Sequence, residues 1–223
     1  MKPILLKFQK PLLLLSLPAA LLFASSATFA AEPATLSFNI AARVQAGSGQ
    51  DAIVRSMNGL VHLRGQQSRI ETKLGEQSVV VLFLKPYVYR LLLKSKSGVR
   101  YKSSTPSPEL QALGANWASL LNQPGKIRAE LQKKGAKKTG SATLNKTAVD
   151  VYSASRWEGK ARNVKLWLRR SDSLPLRMES SADGVKILLN WSNYRRGQKL
   201  SPALFSVPKG YKIREGQAPR AIG

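Results

Sequence analysis

Three short runs between residues 163 and 213 alternate apolar and polar positions. Val164, Leu166 and Leu168 share one face of the first, and Leu174, Leu176 and Met178 one face of the second. Val185, Ile187, Leu189 and Trp191 do the same in the third. A strand sends successive side chains to opposite faces, so this period predicts antiparallel strands with one buried and one wet face. Ser171-Asp172-Ser173 and Ala182-Asp183-Gly184 fit the turns between them. The same period governs residues 36–46, where Leu36, Phe38, Ile40, Ala42, Val44 and Ala46 line one face. A short segment over 51–57 leads to Asn58-Gly59, which reads as a hairpin turn. Strands are then expected over 60–64, 67–74, 79–84 and 87–93, punctuated by Gly65, Gly75-Glu76 and Lys85-Pro86. Residues 79–84 are apolar at every position, which predicts a strand covered on both faces.

The period changes after Ser107, a helix cap followed by Pro108 at the first helical position. Leu110, Leu113, Trp117, Leu120 and Leu121 then recur at helical spacing as one apolar stripe. Residues 126–134 read as a second, shorter, basic helix, and 135–140 as a basic loop holding Lys137 and Lys138. Strands resume over 142–144 and 147–152. The fold class is therefore mainly β (α+β), an incomplete, curled antiparallel β-barrel of about ten or eleven strands wrapped around one or two helices. The helical stripe favours a curled sheet around a helix over two stacked sheets.

Composition adds a compartment and a charge. Residues 1–30 carry Lys2, Lys7 and Lys10 ahead of a Leu/Ala-rich run and end in Thr28-Phe29-Ala30, so a cleaved secretory signal peptide is expected there. Residues 31–223 are then expected to form a single domain. The chain has no cysteine, hence neither a disulfide nor a lipid-attachment thiol, and an exported chain of this kind fits the bacterial periplasm. Removing the three leader lysines from 36 basic residues leaves 33 against 12 acidic ones, a net of +21. Such a field favours anionic partners at the cell envelope, and nucleic acid is not expected there. His62 is the only histidine, and no His or acidic cluster has metal-ligand or acid–base spacing. Neither catalysis, a metal nor a cofactor is expected.

A run of motifs in chain order resembles a known family. It comprises Gly59-Leu60-Val61-His62-Leu63-Arg64-Gly65 with Ser68-Arg69-Ile70-Glu71, then Lys85-Pro86-Tyr87-Val88-Tyr89. Gly135-Ala136-Lys137-Lys138, Val149-Asp150-Val151-Tyr152, Lys165-Leu166-Trp167-Leu168 and Leu174-Pro175-Leu176-Arg177 follow. Asn193-Tyr194 and the stretch from Ala203 to Tyr211 complete it. Together they resemble the periplasmic outer-membrane lipoprotein carrier and sorting proteins, the LolA/LolB-like fold, in an uncharacterised branch. The resemblance implies an incomplete barrel over a helical plug, with an apolar cavity for the acyl chains of a lipid or lipoprotein. It also makes Arg69 the positional match of an arginine that gates the carriers, although alternation puts Arg69 on the polar face with Glu71 and Lys73.

The function expected on this basis is a non-catalytic, monomeric periplasmic carrier or binding protein for a lipid, lipoprotein acyl group or other amphiphile. A lipopolysaccharide-like amphiphile falls in the same class. An envelope sensor or adaptor that binds a protein partner is the alternative. Cavity or lid candidates are Leu110, Leu113, Trp117, Leu120, Leu121, Tyr87, Tyr89, Leu166, Leu189 and Trp191. Candidates for meeting head groups or a partner are Arg69, Lys133, Lys134, Lys137, Lys138, Arg195 and Arg196.

Overall fold

The computed structural model describes residues 34–47, 52–102, 121, 123–156 and 162–217. The first six strands are β1 (Thr35–Ala46), β2 (Ile53–Arg64), β3 (Gln67–Leu74), β4 (Gln77–Leu84), β5 (Tyr87–Leu92) and β6 (Ser97–Lys102). Helix α1 (Pro124–Lys133) follows, then β7 (Lys137–Leu144), β8 (Thr147–Arg156), β9 (Arg162–Arg169), β10 (Pro175–Ala182) and β11 (Val185–Arg196). A 3-10 turn (Pro202–Phe205) and β12 (Lys212–Glu215) end the described chain. The expected leader lies outside the described residues.

All twelve strands join one open sheet, in the order β12-β6-β5-β4-β3-β2-β1-β11-β10-β9-β8-β7. Every pairing is antiparallel except β12 against β6. The sheet does not close, because β7 and β12 stand at its two ends. This is the mainly β, incomplete curled barrel that the alternation predicts.

One face of this sheet holds the main core. Leu36, Phe38, Ile40 and Ala42 of β1 meet Val61, Leu63, Ile70, Val81, Val88 and Tyr101 on one side. On the other they meet Leu166, Leu168, Leu189 and Trp191, with Leu121, Ile127 and Leu131 packed against the same cluster. We call this the inner face. The outer face is apolar only locally: Val80, Leu82 and Leu91 are buried beneath Tyr89, Val207, Tyr211 and Ile213. Thus β4 is covered on both sides, as its unbroken apolar run requires, and its outer cover is the C-terminal segment.

Three expectations are corrected, and two strands were not expected. Asn58-Gly59 is no turn, because β2 runs through it and Gly59 pairs with both Ile40 and Thr72. A Cβ at Gly59 would lie 3.3 Å from the Glu71 carbonyl and 3.4 Å from Ile40, so this glycine marks close approach within a sheet rather than a bend. Residues 137–140, expected as a loop, belong to β7, whose exposure on both faces erased any alternation. The third is β10, where a register irregularity between Pro175 and Arg177 breaks the simple alternation of Leu174, Leu176 and Met178. Finally, β6 and β12 carry too few apolar residues to announce themselves.

Candidate functional site

The inner face is covered unevenly. Over β8 and β9, Leu131 of α1 meets Ala136, Tyr152, Ala154, Val164 and Leu166, leaving a gap of about 10 Å³, no more than one water needs. Over β4, β5, β6 and β12 there is instead an open cavity of about 670 Å³, inside the range of roughly 300–1,000 Å³ typical of small-molecule sites.

Register explains the lining of that cavity. Residues directly opposite one another share a face. Val81, Arg90, Val99 and Arg214 therefore form one inner row, and Val79, Leu92, Ser97 and Lys212 the next. Gln77, Arg90, Leu92, Ser97, Val99, Lys212 and Arg214 line the cavity, and Gly98 and Ile213 border it as well. None of the described lining residues is acidic. The floor therefore combines aliphatic side chains with three cations. Gly98 lets β12 come close: a Cβ there would sit 2.8 Å from the Arg90 carbonyl and 3.0 Å from Ile213.

The other concentration of charge lies at the opposite end of the sheet. Asp150 is on the inner face of β8, with its side chain only 6% exposed. It meets Lys138 at 2.8 Å, Arg128 of α1 at 3.1 Å and Arg170 at 3.4 Å. Ser141 donates a further hydrogen bond at 3.2 Å. The hydrogen bond from Lys138 is the main reason the Asp150 carboxyl titrates below its ordinary range, against the opposing effect of burial. Arg128 also donates to the Arg170 carbonyl at 3.0 Å, so the cluster ties α1 to the sheet.

The candidates from sequence divide between faces. Leu166, Leu189 and Trp191 are buried on the inner face, and Leu121 is buried with them. Leu110, Leu113, Trp117 and Leu120 lie outside the described residues. Tyr87 and Tyr89 do not line the interior: they pair with Leu84 and Leu82 on the outer face, and it is Val88 between them that points inward. There Arg100 lies 4.9 Å over the Tyr87 ring. Trp167 is likewise outside, with Lys165 and Arg177 over its ring at 5.0 and 5.4 Å.

Arg69 lies on the outer face as its alternation requires. It binds Glu71 at 2.7 Å and donates to the Leu204 carbonyl at 3.0 Å, fastening the 3-10 turn to β3. Beside it His62 shares a 2.8 Å hydrogen bond with Ser37. Burial lowers the His62 pKa, Glu71 opposes this and Arg69 adds to it. Lys133 and Lys134 are exposed at the end of α1, and Lys137 is exposed on β7. Arg195 and Arg196 are both exposed, and Arg196 lies 3.9 Å from Asp172. The basic candidates therefore do not converge on one place.

Sequence reasoning missed Arg90, Lys212 and Arg214. The signal for Arg90 was present, since it falls in phase with Val88, buried, and Leu92, half-buried, on β5. For β12 the signal was the single apolar Ile213 between two cations, too short to read as a strand. Among the described residues, no group of three or more His, Cys, Asp or Glu side chains is placed to hold a metal ion. Nor is any described helix long and apolar enough to cross a membrane.

No protein-family model matches the chain, and no curated protein matches it. Solved structures do. An uncharacterised conserved protein of Thermus thermophilus is similar over 80% of this chain and 90% of its own, at 15% identity and a TM-score of 0.49. The complex of MucA and MucB from Pseudomonas aeruginosa matches 77% of this chain and 55% of its own, at 12% identity and a TM-score of 0.40. A LolA-superfamily protein of Nitrosomonas europaea covers 77% and 90%, at 14% identity and a TM-score of 0.36. The likeness is one of fold.

Proposed function

We propose that this protein is a non-catalytic carrier or binding protein of the periplasm, which holds a lipid, lipoprotein acyl group or other amphiphile against the inner face of its curled sheet. The observation that carries this reading is the cavity of about 670 Å³ floored by Leu92 and Val99 beside the apolar core. Each methylene moved out of water gains about 0.8 kcal/mol, so an acyl chain crossing an aqueous compartment favours such a surface. The leader expected at residues 1–30 supports export. Native mass spectrometry of protein purified without detergent, followed by lipid extraction, tests the reading. A discrete adduct of acyl-chain mass is expected. It should disappear in Leu92→Asp and survive in Leu93→Asp, whose side chain is exposed in the adjoining turn. A clean apo mass with no uptake of added lipid would sink the proposal.

A second reading, an adaptor or sensor that uses the fold to bind a protein partner, is favoured by one observation. β3 pairs with β2 only from Gly59 onward, and the β2 end beyond it presents Ile53 and Val54, 61% and 46% exposed. Paired acidic substitutions at Ile53 and Val54 should abolish partner binding on this reading and leave lipid uptake unchanged on the first.

A further inference from the structure

Strand β12 inverts the arrangement of the sheet it joins. On the neighbouring β6 the inner face takes the apolar Val99 and Tyr101. On β12 the apolar Ile213 turns to the outer cluster with Leu91, while Lys212 and Arg214 turn inward beside Ser97 and Val99. Lysines on an edge strand commonly guard against unwanted pairing, but that role does not require them to face a cavity. Arg90, two strands away across Val99, adds a guanidinium in phase with buried Val88 and half-buried Leu92.

We propose that Arg90, Lys212 and Arg214 form the head-group subsite of the cavity, and that its ligand is an amphiphile whose chain is joined to a phosphate or carboxylate. This rests on the carrier reading above and narrows its ligand to anionic ones. Guanidinium groups present paired N–H donors that match phosphate and carboxylate oxygens, and the ammonium of Lys212 supplies a third positive charge. Across the inner face Arg90 stands between Val99 and Val81 of the core, and Leu92 between Ser97 and Val79, so a ligand held by its head has an apolar path beside these groups toward the core. The subsite is incomplete without β12, which contributes two of the three cations and is held by the Arg100–Glu215 ion pair and by Ile213.

The test is titration of the mature full-length protein with lysophosphatidylglycerol, lysophosphatidylcholine of the same chain length, and inorganic phosphate alone. The anionic lysolipid is expected to bind about tenfold more tightly than the zwitterionic one at low salt, the scale of one charge-assisted contact. That preference should vanish in the Lys212→Gln/Arg214→Gln double variant, whose changes lie on an exposed edge, and should fall in Arg90→Gln. Inorganic phosphate should bind far more weakly than either lipid, since it lacks the chain. Equal affinity for the two lysolipids, or a preference that survives the double variant, overturns the head-group subsite and leaves the carrier standing. Phosphate binding as tightly as the anionic lysolipid overturns the amphiphile in favour of a plain anion site. Failure of both lysolipids to bind overturns the subsite and the carrier together.

Discussion

On β8 and β9, Tyr152, Ala154, Val164 and Leu166 meet Leu131 of α1 across a gap of about 10 Å³, whereas on β5 and β6 Leu92 and Val99 face about 670 Å³ of space. Both halves of the sheet are built from short antiparallel strands with an apolar inner face. They differ in what charge that face carries. The covered half buries one carboxylate, Asp150, and gathers three cations around it. In the open half Arg90, Lys212 and Arg214 line the cavity, and none of its described lining residues is acidic. A buried carboxylate with partners on the helix, on β7 and in the turn after β9 fixes a helix in place, while cations that line a cavity are placed to meet an anionic ligand. We read the first half as scaffold and the second as receptor.

Truncating equivalent leucines in the two halves should break this comparison most visibly. Leu168 is fully buried on β9, so Leu168→Ala should lower stability to urea by about 3 kcal/mol, through lost burial plus the void left behind. Leu92 already borders open space, and Leu92→Ala should cost less than about 1 kcal/mol because its methyl groups are only partly withdrawn from water. Equal losses would mean that the cavity is filled in solution.

The second test removes the tie rather than the packing. Asp150→Asn should cost about 2 kcal/mol, the scale of leaving hydrogen-bonding partners without their charged acceptor. Its effect should be concentrated where α1 meets β7 and β8, as faster amide exchange at Arg128 to Leu131. Lys212→Gln, the matching loss of charge in the open half, should leave exchange in α1 unchanged. Faster exchange spread evenly over the whole sheet after Asp150→Asn would contradict an anchoring role.

How much of this was legible in the sequence depends on what each strand buries. β1, β9 and β11 were plain because each sets an apolar face against the core and a polar face against water. β4 was legible for the opposite reason, since residues apolar on both faces require two covers. Asn58-Gly59 misled because the dipeptide that favours a hairpin also suits a strand whose backbone is closely approached, and only the third strand beside it tells the two apart. The receptor half was the least readable. Its distinguishing residues, Arg90, Lys212 and Arg214, are cations in a chain rich in cations, and their common face exists only once β12 pairs in parallel with β6. Tyr87 and Tyr89 show the complementary error: large aromatic residues suggested a lining, but one residue of register put Val88 inside instead.

The smallest effect, and the one that separates regions by pH, concerns His62. Burial on the outer face lowers its pKa from the ordinary 6.5, with Ser37, Glu71 and Arg69 around it. The folded state therefore prefers the neutral ring, while the unfolded chain takes up a proton first as the solution is acidified. Stability associated with His62 is complete above pH 6.5 and falls as the pH drops from there toward the lower folded value. Asp150 is likewise lowered from its ordinary 3.8, so its contribution is complete above that value and is lost only in stronger acid. Urea midpoints measured from neutral to acid pH should thus decline in two stages. His62→Gln should flatten the first stage without touching the second, and Asp150→Asn should reduce only the second, leaving the share of Asp172, which is likewise lowered. A first stage that persists unchanged in His62→Gln would show that the decline near neutrality comes from another group, and that the Ser37–His62 contact does not couple folding to protonation.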